Sequence, residues 1–177
     1  MHYKVKGKET KLILSEEEVK KRVNELAKSI EKDFGEPFIV IGLLKGSFIF
    51  LADLVRCFDL PVKIDFMWVS SYGGSTESYG HVRVLKDISI NIEGEKVLLV
   101  DDILDTGYTL REIVDILKIK EPNVLKTCVL LDKKERRKVE VWADYIGFEV
   151  PDVFLVGYGL DWDEEGRNLR GIYAIVP

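Results

Sequence analysis

Hydrophobic residues recur at two different spacings along this chain, and segments of the two kinds alternate. Ser15 and Glu18 have the spacing of a helix N-terminal capping box. The apolar side chains that follow fall on one helical face before Gly35 and Pro37 interrupt the pattern: Val19, Val23, Leu26, Ala27 and Ile30. We therefore predict an amphipathic helix here that packs against a core.

Shorter apolar or alternating runs, of the length of β-strands, separate the helical segments. They predict strands at residues 38–43, 62–69, 82–90, 96–100, 124–131 and 153–156. Helical spacing returns at two places: Phe48, Leu51, Ala52, Leu54 and Val55, and then Leu110, Ile113, Val114 and Leu117. Strands that alternate with helices predict an α/β fold, a doubly wound, mainly parallel sheet with helices on both faces. In such folds ligands bind beyond the carboxyl ends of the strands.

The composition indicates one globular domain with a mildly acidic surface. Of the 177 residues 46% are hydrophobic, and 26 Lys and Arg against 31 Asp and Glu give a net charge of -5. Disorder would need fewer hydrophobic residues, and bulk binding of nucleic acid would need an excess of cations. We therefore expect a single domain over residues 1–177 and no nucleic-acid partner.

Neither a membrane segment nor a thiol or histidine metal site is indicated. No run reaches the roughly 20 apolar residues of a membrane-spanning helix, and the charged segment 1–11 does not resemble a signal peptide. Cys57 and Cys128 form no Cys-x-x-Cys pair, and His2 and His81 are isolated in the sequence. We expect a cytoplasmic protein with reduced thiols and no membrane partner.

Most of the candidate chemistry lies in residues 97–110, where an apolar strand runs towards a helix. Asp101 and Asp102 follow the strand, and their oxygens suit a vicinal diol or a divalent cation. Residues 105–109 would open a helix N-terminus, whose free N–H groups bind phosphate. The hydroxyls of Thr106 and Thr109 suit a phosphate, and Gly107 permits its close approach. A compound with ribose hydroxyls, phosphate and magnesium would use all of these groups.

Ordinary turn and N-cap chemistry is the alternative for this segment, and it accounts easily for a single Asp or Thr. It does not account for several polar groups directly after so apolar a strand. The two common nucleotide-binding patterns, GxxxxGK[ST] and GxGxxG, are both missing from the sequence. ATPase and dehydrogenase activities are therefore not predicted.

The segment 97–110 resembles the phosphate-binding motif of the type I phosphoribosyltransferases. Other segments are similar to the hypoxanthine-guanine branch of that family: Leu44-Lys45-Gly46-Ser47, Ser70-Ser71-Tyr72-Gly73, residues 148–152 and residues 154–161. The resemblance extends from about residue 10 to the end of the chain. It implies the type I phosphoribosyltransferase fold, with a small hood from about residues 1–14 and 153–177.

The resemblance implies roles in binding phosphate, ribose and metal. The residues implied to hold the 5-phosphate are Asp105, Thr106, Gly107, Tyr108 and Thr109. Asp101 and Asp102 would meet the ribose hydroxyls and, with Asp161, bind Mg²⁺, although many relatives carry Glu where Asp101 stands. Asp105 is also implied as the catalytic group, a general base that accepts the proton of purine N7. The simpler alternative is that Asp105 only caps the phosphate loop.

The resemblance also implies how pyrophosphate and purine are bound. The pyrophosphate-binding residues would be Lys45, Gly46, Ser71, Tyr72 and Arg167, with a non-proline cis peptide before the lysine. The purine-binding residues would be Ile103, Lys133, Phe154, Leu155 and Asp161. Lys133 could otherwise belong to a solvated charged run, and Phe154 to the core. The segment 70–80 would be a loop that closes over the reacting centre, or else a plain hairpin loop.

The implied activity is purine salvage, the Mg²⁺-dependent transfer of 5-phosphoribosyl from phosphoribosyl pyrophosphate to N9 of hypoxanthine or guanine. Expected partners are these two substrates and further copies of the chain, in a homodimer or homotetramer. One alternative is a regulator of the same fold that binds nucleotides and RNA, which the acidic composition disfavours. Another is a phospho-acceptor receiver domain. The acidic pair of a receiver follows its first strand, whereas the acidic pair of this chain comes after about a hundred residues.

Overall fold

The structure is a computed structural model that describes residues 3–71 and 82–176. Along the chain its elements are β1 (Lys4–Val5), β2 (Lys8–Leu14), α1 (Glu16–Phe34), β3 (Ile39–Leu44), α2 (Phe48–Arg56), β4 (Lys63–Ser71), β5 (Val82–Lys86), β6 (Lys96–Leu104), α3 (Tyr108–Ile119), β7 (Val124–Asp132), β8 (Tyr145–Glu149), β9 (Leu155–Val156) and β10 (Ile172–Ile175). A short 3₁₀ turn, Lys134–Arg136, follows β7. None of the described helices has the length and hydropathy needed to cross a bilayer.

In the described residues a six-stranded sheet runs in the order β5-β4-β3-β6-β7-β8. Its neighbouring strands are parallel, except for the antiparallel pair β4 and β5. Side chains of α1 and α2 pack on one face and those of α3 on the other. The predicted fold class, a mainly parallel sheet with helices on both faces, is confirmed.

The central strands are buried on both faces, which explains their uninterrupted apolar sequences. Val40 and Leu98 face the core shared with α1 and α2, whereas Ile41 and Leu99 face the core shared with α3. All four side chains are fully buried. Helix α1 has the predicted capping box and ends at Gly35 in a left-handed conformation, as its sequence indicates.

The two ends of the chain form a second, antiparallel sheet in the order β1-β2-β10-β9. This sheet is the hood that the resemblance implied. Because β9 is its edge strand, one side of the β9 backbone has no strand partner in this sheet.

The structure corrects several details of the predicted elements. Strand β6 continues past Val100 to Leu104, because it stays paired with β7, so Asp101 and Asp102 lie within the strand and not in a loop. The predicted apolar face of α2 included Phe48, but this side chain is 43% exposed. The side chains that α2 buries are Phe50, Leu51 and Leu54. The predicted strands 82–90 and 153–156 are shorter than expected, and β8 was not predicted.

Strands β3 and β6 lie side by side in the middle of the sheet, and the chain continues from them in opposite directions. It passes from β3 to β4 on one side and from β6 to β7 on the other. Such a switch point opens a crevice at the carboxyl ends of the strands. The loops after β3 and β6 carry most of the predicted site residues.

Candidate active site

The loop after β3 touches the end of β6. An ideal Cβ atom built on Gly46 would lie 1.9 Å from Oδ2 of Asp102, so the approach requires glycine. The peptide bond between Leu44 and Lys45 is cis, as the resemblance implied. The predicted pyrophosphate loop and the predicted ribose carboxylates therefore form one continuous surface.

Asp101 and Asp102 are adjacent, half-buried carboxyls on β6. Oδ1 of Asp101 accepts a hydrogen bond from the Asp102 N–H at 2.9 Å, and Oδ1 of Asp102 accepts one from the Ile103 N–H at 2.9 Å. Burial raises the pKa of Asp101 well above its ordinary value, and the neighbouring Asp102 raises it further. Burial also raises the pKa of Asp102. Two carboxyls in this setting suit hydroxyl donors or a divalent cation, either of which relieves their repulsion.

These donors fit a magnesium ion that takes few ligands from the protein. Mg²⁺ is usually held by one or two carboxylates together with water and substrate phosphates. No group of three or more His, Cys, Asp or Glu within residues 3–71 and 82–176 is arranged to hold a metal. The third predicted ligand, Asp161, is engaged with Arg167 at 3.0 Å and accepts a hydrogen bond from the Glu164 N–H at 2.8 Å.

The predicted phosphate loop leads into the N-terminus of α3. Gly107 precedes the helix with φ 93°, in the left-handed region that favours glycine, and its carbonyl accepts the Arg111 N–H at 3.1 Å. The N–H groups of the first turn, which begins at Tyr108, therefore lack acceptors within the helix. Thr106 and Thr109 are half-buried beside them. Such a helix N-terminus is suited to a phosphate monoester.

A basic turn after β7 contacts the phosphate loop and holds it in place. The sequence did not predict this contact. Arg137 donates from Nε to the Asp105 carbonyl at 3.1 Å, and the Lys138 N–H donates to the Thr106 carbonyl at 2.9 Å. The Arg137 guanidinium also forms an ion pair with the buried Asp132. This part of the turn is structural and not a solvated run.

The predicted purine residues line a single cavity of about 610 Å³. Its walls include all five of them, Ile103, Lys133, Phe154, Leu155 and Asp161, together with Asp102 and Asp105. The structure thus joins the predicted ribose, phosphate-loop and purine groups in one space. The cavity is also lined by four residues that the sequence did not predict to belong to the site: Arg136, Asp152, Val153 and Leu160.

Lys133 and Phe154 are arranged as ligand-binding groups would be. Lys133 is only 7% exposed, yet its ammonium makes no hydrogen bond or ion pair with any described residue, so it is not part of a solvated run. Phe154 is 54% exposed and therefore does not belong to the core. The ring of Trp162, which sequence reasoning also missed, lies 5.8 Å from that of Phe154, measured between centroids.

The Asp105 carboxylate faces the same cavity with an oxygen available. Its Oδ1 atom is buried, and Nε of Arg136 lies 2.7 Å from it. This contact is an ion pair whose alignment is too poor for a hydrogen bond, so Oδ1 accepts no hydrogen bond from the described residues. A ligand N–H that reached Oδ1 would find an acceptor with unused capacity.

Lys45 and Arg167, the predicted pyrophosphate cations, contact the same carboxylate. Glu164 lies 2.9 Å from the Lys45 ammonium and 3.3 Å from Nη2 of Arg167. Lys45, and to a smaller extent Arg167, lowers the pKa of Glu164. Arg167 also donates from Nη1 to the Gly159 carbonyl at 2.8 Å. The two cations are therefore close enough to bind one anion.

Two of the predicted pyrophosphate residues receive no test from this geometry. Ser71 ends β4, and its side chain is outside what the structure describes. Tyr72 and residues 73–80 of the predicted closing loop also lie outside the described residues.

Comparison with known proteins gives a consistent result. The chain matches the model of the "Phosphoribosyl transferase domain" family over residues 9–163. It is 61% identical over 173 residues to the hypoxanthine-guanine phosphoribosyltransferase of Aquifex aeolicus (strain VF5), covering 97% of each chain. It is 47% identical over 169 residues to the hypoxanthine phosphoribosyltransferase of Haemophilus influenzae (strain Rd), covering 93% of this chain and 94% of the relative.

Solved structures agree with these sequence matches. A crystal structure of a hypoxanthine-guanine phosphoribosyltransferase from Bacillus anthracis, with a HEPES molecule in its active site, aligns with a TM-score of 0.90. The two sequences are 50% identical, and the alignment covers 94% of this chain and 98% of that chain.

Proposed function

This chain belongs to the phosphoribosyltransferase family, in its hypoxanthine-guanine branch, and we propose that it transfers 5-phosphoribosyl from phosphoribosyl pyrophosphate to N9 of hypoxanthine or guanine. The products are IMP or GMP and pyrophosphate. The reaction is one of purine salvage, and the enzyme is a glycosyltransferase.

The observation that carries the proposal is the position of Lys133 and Phe154 in one cavity: Lys133 is largely buried but its ammonium has no partner among the described residues, and the ring of Phe154 is exposed. A planar base can stack on Phe154, with Ile103 as the opposite wall. Lys133 then donates a hydrogen bond to the 6-oxo group of the base. The 6-oxo oxygen thereby supplies the acceptor that the ammonium of a largely buried lysine needs. The free edge of β9, at Leu155, offers backbone groups to the far edge of the base.

Asp105 is proposed to accept the proton that the base loses. As N9 forms its bond to C1′ of the ribose, the bond from C1′ to the pyrophosphate oxygen breaks and pyrophosphate leaves with the electron pair. The purine would become cationic, so its N7 proton passes to the Asp105 carboxylate. The buried Oδ1 atom, which accepts no hydrogen bond from the described residues, supports this role. A positioned base of this kind contributes about 10² to 10⁴ in rate.

The remaining groups bind the phosphoribosyl donor. The first turn of α3, with Thr106 and Thr109, binds the 5-phosphate through N–H and hydroxyl donors. Asp101 and Asp102 accept hydrogen bonds from the ribose hydroxyls and hold magnesium. When bound, magnesium supplies positive charge that stabilises the leaving pyrophosphate.

Lys45 and Arg167 are proposed to bind the pyrophosphate, with the Gly46 backbone beside it. Their charges compensate the negative charge that develops on the leaving group. The contact that both cations make with Glu164 supports this assignment, because it demonstrates that a single anion can reach both. Ser71 and Tyr72 are proposed as further pyrophosphate contacts on the resemblance alone.

We propose a homodimer or homotetramer of a single-domain, cytoplasmic enzyme. The net charge of -5 supports small-molecule anions, bound through metal and local cations, over nucleic acid as the ligand. Sedimentation of the purified chain would distinguish a dimer from a tetramer.

Initial rates with different bases and metals test the proposal. After removal of metal with a chelator, the rate with hypoxanthine should vanish and should return on addition of Mg²⁺. Guanine should also react, whereas adenine, which offers no 6-oxo group to Lys133, should not. Equal rates with adenine and hypoxanthine, or full activity in the presence of the chelator, would contradict the assignment.

A further inference from the structure

The side chain of Glu164 contacts both cations of the proposed pyrophosphate site. Its Oε1 atom lies 2.9 Å from Nζ of Lys45, and its Oε2 atom lies 3.3 Å from Nη2 of Arg167. One carboxylate thus uses two oxygens to bridge Lys45, which is 119 residues away in sequence, and Arg167, which is 3 residues away. A pyrophosphate group, with its several anionic oxygens, would make contacts of the same kind.

The backbone holds Glu164 in this position at a conformational cost. The Trp162 N–H donates to the Glu165 carbonyl at 2.9 Å, and the Glu165 N–H donates back at 3.1 Å. The two residues between them, Asp163 and Glu164, have φ values of 51° and 69°. Positive φ at both central positions is the geometry of a type I′ turn, which normally selects Asn or Gly. Here the turn carries two acidic side chains instead.

Other contacts fix the same turn. Oδ2 of Asp161 accepts the Glu164 N–H at 2.8 Å, and Asp163 pairs with Lys6 at 2.5 Å. The Glu164 side chain is 64% exposed, so burial does not hold it. Its contacts within the turn and with the two cations are what place the carboxylate.

We propose that Glu164 is a built-in counter-anion that competes with pyrophosphate for Lys45 and Arg167. In the free enzyme it pairs with Lys45 and shares Arg167 with Asp161, and an arriving phosphoribosyl pyrophosphate must displace it. After the reaction the carboxylate returns to the cations as pyrophosphate leaves. Glu164 therefore weakens the binding of both phosphoribosyl pyrophosphate and pyrophosphate. It sets the affinity for these two anions without contacting the purine. This inference rests on the proposed function of Lys45 and Arg167.

Binding of magnesium pyrophosphate, measured by titration calorimetry, tests the inference. In Glu164→Gln the Kd for pyrophosphate should fall about three- to fivefold, the effect of losing one partly exposed competing ion pair. The KM for phosphoribosyl pyrophosphate should fall in parallel, while the KM for hypoxanthine stays unchanged. The difference from the wild type should shrink in high salt, which screens exposed charges.

Glu165→Gln is the matched control, because Glu165 lies on the same turn but contacts the Lys6 N–H instead of the two cations. It should leave the Kd for pyrophosphate unchanged. Equal or weaker pyrophosphate binding by Glu164→Gln than by the wild type, with both folded by circular dichroism, would overturn the inference alone. If the wild type binds no magnesium pyrophosphate, the proposed role of Lys45 and Arg167 fails, and the inference fails with it.

Discussion

The Nε atom of Arg136 lies 2.7 Å from Oδ1 of Asp105, and Nη1 of the same arginine lies 3.5 Å from Oδ1 of Asp152. Arg136 thus connects the end of the phosphate loop to the segment that leads into Phe154, across one side of the cavity. Asp105, and to a smaller extent Asp152, raises the pKa of Arg136, so its guanidinium stays charged. The proposed proton acceptor is therefore held beside a permanent cation.

Loss of that cation should slow catalysis. Without the Arg136 guanidinium at 2.7 Å, the Asp105 carboxylate is no longer held in place for the purine. The kcat with hypoxanthine should therefore fall about fivefold in Arg136→Met, the effect of one partly exposed ion pair, while the KM for phosphoribosyl pyrophosphate changes little. Arg136→Lys should restore most of the wild-type rate.

Lys134→Met is the control for this experiment, since Lys134 lies on the same 3₁₀ turn but pairs with Glu149 instead of Asp105. Its kcat should match that of the wild type. An unchanged kcat in Arg136→Met would refute the link between the two residues.

Asp105→Asn should separate chemistry from binding. Asparagine keeps the shape of the side chain but cannot take up the N7 proton, so kcat should fall about 10²- to 10⁴-fold. The KM for phosphoribosyl pyrophosphate should change little, because the proposed phosphate contacts are the N–H groups of α3 and not the Asp105 carboxylate. Steady-state kinetics with each substrate varied in turn measure both constants. Unchanged turnover would mean that Asp105 only caps the loop.

Gly46→Ala should disrupt the contact between the loop after β3 and β6. The new Cβ atom would meet Oδ2 of Asp102 at 1.9 Å, so either the loop or the carboxylate must move. A displacement of about 1 Å at a reacting centre costs on the order of 10²-fold in kcat/KM. In a double-mutant cycle with Asp102→Ala, the glycine substitution should cost much less, because the clash is gone. Fully additive effects would contradict this reading of the contact.

Arg137→Met should destabilise the fold. It leaves the carboxylate of Asp132, a residue only 2% exposed, without its cation, and breaking such a buried pair costs about 3–5 kcal/mol. Thermal or urea unfolding should record this loss, and Asp132→Asn in the same chain should recover part of it. Arg170→Met removes a largely exposed arginine that pairs with Glu16, which keeps Lys20 as a partner, and should cost less than about 1 kcal/mol. Similar stability of the two single variants would refute the structural role of Arg137.

The parts of the fold that the sequence predicts are those in which local pattern and tertiary contacts agree. Helix α1 carries its own start and stop signals at Ser15 and Gly35, so both ends were predicted correctly. The end of β6 was predicted too early, because Asp101 and Asp102 read as a loop in isolation. Pairing with β7 keeps them in the strand, and that information is not local.

The candidate site shows the same contrast between what local sequence predicts and what only tertiary contacts determine. The chemistry-bearing residues of 101–109 stand together in sequence, so their composition indicates a phosphate and ribose site. Arg136, Asp152 and Glu164 join the site only through tertiary contacts. In sequence Arg136 and Glu164 are each one more charge in a charged run, and Asp152 is an isolated acid between Pro151 and Val153. Arg137 is a similar case, since nothing in its neighbours indicates the buried partner Asp132.

One assay tests the proposed function most directly: IMP and pyrophosphate are measured together, from phosphoribosyl pyrophosphate, Mg²⁺ and hypoxanthine. Both products should form in a one-to-one ratio and only when the base is present. Lys133→Met should raise the KM for hypoxanthine and leave that for phosphoribosyl pyrophosphate unchanged. Absence of purine-dependent pyrophosphate release with hypoxanthine, guanine and xanthine alike would contradict the proposed function.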